Sequence, residues 1–238
     1  MSAELPPVLQ TIIHDAGSQA LRWQVSPALE IIGIKLLAQS VQTSDILPFL
    51  TTEYQSRCNR LSISDKRFEL AMTGLLVSHI DQLMRTARGR PQISKTTSGK
   101  PILIGSNSQS ISWSRSSPWL TIGLAASGDL GIDVEVRRPI DSEAILPTIC
   151  GEAERAAFQT IPPSAQAKRF FAIWTLKEAI LKAIGSGFQK SAKKIVIPEL
   201  AFTATLEAPI VLKCFGRSFA LSLIEQQETT IAVAHSFD

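Results

Sequence analysis

Leu120-Thr121-Ile122-Gly123-Leu124-Ala125-Ala126-Ser127-Gly128-Asp129-Leu130-Gly131-Ile132-Asp133-Val134-Glu135-Val136 holds two apolar runs of strand length, Leu120 to Ala126 and Leu130 to Val136, around Ser127-Gly128-Asp129. Turn-forming residues between two such runs predict a β-hairpin. Strand side chains alternate, so Asp133 and Glu135 share one face of the second run and Ile132 and Val134 the other. Neighbouring carboxylates repel, and a cation between them removes that cost; hard carboxylate oxygens suit Mg²⁺. An edge hairpin with one face in solvent explains the same pair without metal, and on the hairpin alone the two readings stand level.

Upstream, Ser112-Trp113-Ser114-Arg115-Ser116-Ser117 offers hydroxyls and one guanidinium that suit phosphate, although a Ser-rich turn is the plainer reading. Pro101 to Ile104 is a short apolar strand. The preceding stretch from Arg85 to Lys100 carries Arg85, Arg88, Arg90, Lys95 and Lys100, no acidic residue, and Gly89, Pro91 and Gly99. A basic loop attracts phosphate, and a solvated surface loop explains it more simply. Phe68, Leu70, Ala71, Leu75, Leu76, Ile80 and Leu83 predict a helix over Asp65 to Met84, capped by Ser64 or Asp65. Asp45 to Arg60 reads as a shorter helix with Pro48 near its start, and Ile31 to Leu37 as a strand; residues 1–27 show little pattern.

Downstream, Ser142 to Pro163 is partly helical. Ala165 to Ile184 is the strongest helix, with Phe170, Phe171, Ile173, Trp174, Ala179, Ile180 and Leu181 on a broad face and Gly185 as its stop. Ile195 to Ile197, Ala201 to Leu206, Ile210 to Cys214, Phe219 to Ile224 and Thr230 to His235 read as strands. Two halves thus each place a long helix before a set of antiparallel strands, a duplication of shape without a residue-level repeat. The fold class is α+β, or α/β with mixed sheets. The division is an N-terminal extension over 1–27, a first half over 28–127 and a second half over 128–238.

The 238 residues are 45% hydrophobic, enough for a substantial core, at a mean hydropathy of +0.14. Leu29 to Ala38 is interrupted by Glu30 and Lys35 and is too short to span a bilayer, and the N-terminus carries no signal-peptide pattern. Cys58, Cys150 and Cys214 form no CxxC and no even-numbered framework, so reduced thiols and a cytoplasmic location are expected. His14, His79 and His235 are too scattered for a histidine-rich zinc site. A net charge of only +3 argues against nucleic acid as the main partner.

In Trp174-Thr175-Leu176-Lys177-Glu178-Ala179-Ile180-Leu181-Lys182, Glu178 and Lys182 are spaced i, i+4 and stack on one helical face. Such pairs are usually surface ion pairs, but Trp174, four residues earlier, turns this face towards protein. A third carboxylate with a lysine is what a Mg²⁺–pyrophosphate site needs.

Gly99-Lys100-Pro101, then Ser114-Arg115-Ser116, then Gly131 to Glu135, then Trp174 to Lys182 stand in this order. The series resembles the 4′-phosphopantetheinyl transferase superfamily in its long, single-chain Sfp-like branch, over roughly residues 30 to 225. The resemblance implies a pseudo-twofold pair of α/β halves with coenzyme A in the cleft between them. It implies Mg²⁺ on Asp133, Glu135 and Glu178, with Mn²⁺ as a substitute, and catalytic roles for Glu178 and Lys182. Lys182 is expected at the pyrophosphate, Gly99, Lys100 and Pro101 at the adenine end, and Ser114 and Arg115 at phosphates. The family commonly has histidine where Arg115 stands; arginine keeps a donor and makes the charge permanent. Lys66 or Arg67 is the expected counterpart of the family's arginine on the first long helix.

The implied reaction moves phosphopantetheine from coenzyme A to a serine of an apo acyl or peptidyl carrier protein, in a chain expected to be monomeric, without nucleic acid or membrane. Carrier docking falls to Arg85, Arg88, Arg137 and Arg138, or these are merely solvated. Two rivals use the same residues: a metal-dependent phosphohydrolase acting on nucleotides, and a non-catalytic coenzyme A or carrier-binding module in which Arg115 marks catalytic drift.

Overall fold

In the computed structural model the described residues are 10–11, 19–26, 29–35, 42–78, 92–104, 109–186 and 191–237. They form an α+β fold in which strands β1 (Gln19–Ser26), β2 (Leu29–Lys35), β5 (Ser110–Ser116) and β6 (Trp119–Ala125) make one antiparallel sheet, ordered β1-β2-β6-β5. Strands β7 (Leu130–Val136), β8 (Ile210–Cys214), β9 (Arg217–Gln226) and β10 (Thr229–Ser236) make a second, ordered β7-β10-β9-β8. Among the described residues, strands β3 (Gln92–Lys95) and β4 (Pro101–Ile104) pair only with each other. The helices are α1 (Thr43–Ile46), α2 (Thr52–Asn59), α3 (Ser64–Ser78), α4 (Ser142–Ile149), α5 (Glu152–Gln159) and α6 (Pro163–Ile184). None among the described residues is long and apolar enough to cross a membrane.

Strand alternation sorts the core into layers. Ile32 and Ile34 of β2 and Ile122 and Leu124 of β6 pack with Phe68, Met72 and Leu75 of α3. Ile31 of β2 joins Ile132 and Val134 of β7 and Ile231 and Val233 of β10 in a cluster between the two sheets. Ala232 and Ala234 of β10 and Phe219 and Leu221 of β9 turn the other way, onto Leu176, Ala179, Ile180 and Ala183 of α6. Each fully buried large apolar side chain contributes about 1.5–3 kcal/mol.

The expected hairpin of Leu120 to Val136 does not form: its two strands lie in different sheets. β6 is already flanked by β2 and β5, so it has no free edge for β7, which pairs instead with β10 from Leu130↔His235 to Val136↔Thr229. The turn itself is tied to the end of β10, where Asp129 N donates to Ser236 Oγ at 2.8 Å and Ser236 N to Asp129 O at 2.8 Å.

Other expectations shift for local reasons. Asp45 to Arg60 is broken into α1, a 3₁₀ turn at Leu47–Phe49 containing Pro48, and α2, restarted by Thr51, whose Oγ1 accepts from Tyr54 N. The Ser-rich segment is strand β5 rather than a turn. Within residues 1–27, where the sequence shows little pattern, Gln19–Ser26 forms β1. Ile195 to Ile197 and Ala201 to Leu206 are not strands; 3₁₀ turns lie at Ala192–Lys194 and Glu199–Thr203. Their apolar residues Ile195, Ile197 and Ala201 are buried in the cluster around α6, so the pattern records packing rather than pairing. Helix α3 is described to Ser78, and its expected continuation to Met84 lies outside the described residues, as do Leu36 and Leu37.

Candidate active site

Gly131 decides how close α6 comes to β7. A Cβ there would lie 1.8 Å from the Ala179 carbonyl oxygen and 2.5 Å from Ala183 N, so only glycine admits the helix. Alternation then points Asp133, two residues on, towards the same helix. Asp133 is buried, and its Oδ1 accepts from Lys182 Nζ at 2.7 Å and from Ser114 Oγ at 2.8 Å. Lys182 also donates to Ser114 Oγ at 2.8 Å and to the Ile132 carbonyl at 3.2 Å. Lys182 thus forms its ion pair with Asp133 of β7.

The serines of β5 alternate onto β7. Ser112 Oγ accepts from Ile132 N at 2.9 Å, and Ser116 Oγ accepts from Val136 N at 3.1 Å and donates to Glu135 Oε2 at 3.0 Å. Both strands are sheet edges, so side-chain hydroxyls stand where a backbone ladder would. Arg138 Nη1 also donates to Glu135 Oε2, at 3.0 Å.

Glu178 is partly buried, and burial, followed by the negative charge of Asp133, raises its carboxyl above the ordinary range; Lys182 partly offsets this, and Glu135 adds to it. The three carboxylates thus feel one another. Among the described residues, however, no three His, Cys, Asp or Glu side chains are gathered into a ready metal cage. The donor set still fits a hard divalent cation: Asp133 Oδ2 is buried without a hydrogen-bond partner, and a cation relieves both that atom and the repulsion on Glu178.

A cavity of about 440 Å³ opens between the first half and α6. Its walls include Gly99, Lys100 and Pro101 from the β3–β4 hairpin, Ser114 and Arg115 from β5, and Glu178 and Lys182 from α6. All the residues expected at coenzyme A are brought to it. Three of them are already engaged through their side chains: Ser114 and Lys182 with each other and with Asp133, and Lys100 through its ammonium with Asp129 and the Ala183 carbonyl. Arg115 Nε lies 4.0 Å from Glu69 Oε2.

Lys66 and Arg67 do not line this cavity, and Arg67 turns away to Asn59 Oδ1 at 2.8 Å. Arg57 of α2 and Lys95 of β3 line it instead, with Glu53 3.6 Å from Arg57 and 3.7 Å from Lys95. Arg57 also lies 5.0 Å over the Tyr54 ring, itself part of the wall. Lys95 belongs to the basic run noted in the sequence; Arg57 gave no signal beyond its spacing from Tyr54. Lys177, inside the Trp174–Lys182 motif, points to the far side of α6, where its buried ammonium meets Glu154 at 2.6 Å and the Ile149 carbonyl at 2.8 Å. Of the expected docking arginines, Arg137 is spent on Glu225 and Thr230, Arg138 is exposed but paired with Glu135 and 5.4 Å over the Phe171 ring, and Arg85 and Arg88 lie outside the described residues.

With this geometry in place, the chain can be set beside known proteins. The sequence profile of the 4′-phosphopantetheinyl transferase superfamily matches residues 129–233, the segment that carries β7 and α6. The chain is 27% identical to the 4′-phosphopantetheinyl transferase HetI of Nostoc sp. (strain PCC 7120 / SAG 25.82 / UTEX 2576) over 198 residues, 81% of each chain. The likeness to the 4′-phosphopantetheinyl transferase superfamily thus rests on residues 129–233 and on the similarity to HetI. It is also 27% identical to the 4′-phosphopantetheinyl transferase psf-1 of Bacillus pumilus over 147 residues, 61% of this chain and 62% of that one. To the 4′-phosphopantetheinyl transferase AcpT of Escherichia coli (strain K12) it is 29% identical over 125 residues, 52% of this chain and 62% of AcpT. The profile of the superfamily thus covers Asp133, Glu135, Glu178 and Lys182, whereas Gly99–Pro101 and Ser114–Arg115 lie outside it.

Proposed function

We propose that this chain transfers 4′-phosphopantetheine from coenzyme A to a serine of an apo acyl or peptidyl carrier protein, as a cytoplasmic monomer of the Sfp-like branch. The observation that carries the reading is the cavity between the halves, which gathers Gly99–Pro101, Ser114, Arg115, Glu178 and Lys182 beside the buried, unpartnered Oδ2 of Asp133. Its walls suit a nucleotide with a pyrophosphate: backbone at Gly99 and Pro101 for the flat base, and the cations Arg57, Lys95 and Arg115 for phosphates.

In the reaction the serine oxygen bonds to the β-phosphorus, the bond from that phosphorus to the bridging oxygen breaks, and adenosine 3′,5′-bisphosphate leaves. Glu178, on the cavity wall, takes the serine proton directly or through a water. Lys182 places its charge beside the leaving phosphate, and Asp133 and Ser114 hold that ammonium in position. Mg²⁺, or Mn²⁺ in its place, is assigned to Asp133, Glu135 and Glu178, and when bound it neutralises charge across the pyrophosphate.

The test incubates the chain with Mg²⁺, coenzyme A and an apo carrier protein and weighs the carrier by mass spectrometry. A gain equal to phosphopantetheine is expected. Nucleotide hydrolysis without that gain would move the chain to the phosphohydrolases, and binding alone to non-catalytic modules. Glu178→Gln should lower transfer by at least about 10²-fold. Its far-ultraviolet circular dichroism and melting temperature should stay near wild type, since the substitution removes a charge that burial disfavours.

A further inference from the structure

The turn between β3 and β4 carries Ser98, Gly99 and Lys100, which wall one side of the cavity. Among the described residues these two strands pair only with each other, and a lone two-stranded hairpin is marginal in water. The wall therefore needs anchoring from outside the hairpin, and Lys100 crosses to the second half, as does Ser98.

The Lys100 side chain is only 10% exposed. Its ammonium donates to the Asp129 carboxylate and, at 2.5 Å, to the Ala183 carbonyl in the last turn of α6. A cation is favoured there by the unpaired carbonyls of the helix end. The aliphatic stem lies over Gly185, where a Cβ would come 2.6 Å from Lys100 Cδ, and Ser98 Oγ donates to the Gly185 carbonyl. On the other side, Asp129 is gripped by Arg217 of β9, which also donates to Ser236 Oγ of β10 at 3.1 Å. Hairpin and second sheet thus meet at one carboxylate, and the helix end joins them through the Lys100 ammonium. At 10% exposure, against 32% for the Lys182 side chain, the Lys100 ammonium is largely shielded from a phosphate in the cavity.

We propose that Lys100 is a positioning residue of the cavity rather than a ligand of the nucleotide: with Asp129 it fastens the β3–β4 hairpin to the C-terminal end of α6 and sets the width of the cleft. Only the identity of the ligand, coenzyme A, rests on the function proposed above.

Lys100→Met keeps the stem on Gly185 and removes the ammonium; Asp129→Asn removes its partner charge. Amide hydrogen exchange on the ligand-free chain should show residues 92–104 opening about tenfold more readily in each variant, the size of one charge-assisted hydrogen bond. Residues of β9 and β10 should keep wild-type exchange, separating a loosened hairpin from a weaker fold. The double variant should be no worse than either single one, because both remove the same link. Calorimetric titration with coenzyme A should give a similar loss of affinity in both variants. In the transfer assay KM for coenzyme A should rise while kcat stays near wild type.

If Lys100 is a nucleotide ligand, Lys100→Met alone weakens binding, Asp129→Asn frees the ammonium and leaves binding equal or tighter, and hairpin exchange is unchanged in both. That pattern overturns the proposal. A wild-type chain that binds no coenzyme A counts against the functional reading, while the exchange data still decide the fastening.

Discussion

Asp133 and Asp129 show how position on one strand and turn separates two roles for the same side chain. Asp133, mid-strand, has one oxygen saturated by Ser114 and Lys182 and the other buried and unpartnered, a state suited to a cation. Asp129, at the turn, has both oxygens bound, one to Lys100 and one to Arg217. Burial alone pushes the Asp129 carboxyl up, but the hydrogen bonds and charges of Lys100 and Arg217 outweigh it and hold the group below its ordinary 3.8. A pKa lowered by folding gives stability that is present above the unfolded value and lost as pH falls through the folded one. The melting temperature should therefore decline on acidification below about pH 4. Asp129→Asn should melt lower at neutral pH and decline less steeply; matching slopes in the two proteins would remove Asp129 from the acid response. The pairing of Asp133 and Glu135 on one face follows from alternation and was legible in the sequence. Which group neutralises each was not, because Lys182 and Ser114 come from elements 49 and 19 residues away.

At the scale of elements, α6 presents different chemistry on its two sides. Its sequence period marks the helix plainly, from Pro163 rather than Ala165, and Gly185 ends it at φ 72°. Glu178 and Lys182 face β7 and the cavity, whereas Lys177 reaches Glu154 of α5 and the last carbonyl of α4 in a buried ion pair. Glu154 also accepts from Ile197 N at 3.1 Å, so one carboxylate ties α5 and the segment at Ile197 to the helix. Lys177→Met strands that charge in the interior and should cost about 3 kcal/mol. The corresponding drop in melting temperature is about 10 °C for a chain of this size. Calorimetry checks both values, and a fall of a degree or less would refute the buried-pair account. Gly131→Ala probes the opposite side. The new methyl forces α6 away from β7, so it should cost about 1–3 kcal/mol. It should also lower transfer, since Glu178 and Lys182 move with the helix; a fully active, equally stable variant would contradict the close approach. The period of α6 could be read from its residues, but the side on which Lys177 would be buried depends on α4 and α5 packing there.

For the molecule as a whole, the seam between β5 and β7 joins the two sheets. Neither strand has a ladder partner at that edge, and the hydroxyls of Ser112 and Ser116 satisfy Ile132 N and Val136 N. Replacing both serines by alanine leaves two buried donors unpaired, at about 1–3 kcal/mol each. Urea titration of Ser112→Ala/Ser116→Ala should show a lower midpoint, and transfer should fall because Glu135 loses its Ser116 donor. An unchanged midpoint would mean that the apolar cluster between the sheets alone holds the seam. The expected hairpin across Leu120 to Val136 misses this arrangement for a physical reason. Strand length and turn residues are local, but whether β6 keeps a free edge depends on β2, ninety residues earlier in the chain.

The sequence by itself determined the α+β class, the long helix carrying Glu178 and Lys182, the shared face of Asp133 and Glu135, and the ordered motifs that announce the family. These rest on periodicity and short-range order, which neighbouring residues specify among themselves. Only the tertiary structure decided that β6 and β7 part into different sheets, that Arg57 and Lys95 rather than Lys66 or Arg67 face the cavity, and that Lys100 and Lys177 are held by Asp129 and Glu154. Sheet edges and counter-charges are supplied by distant segments, and their identity is fixed only when those segments meet.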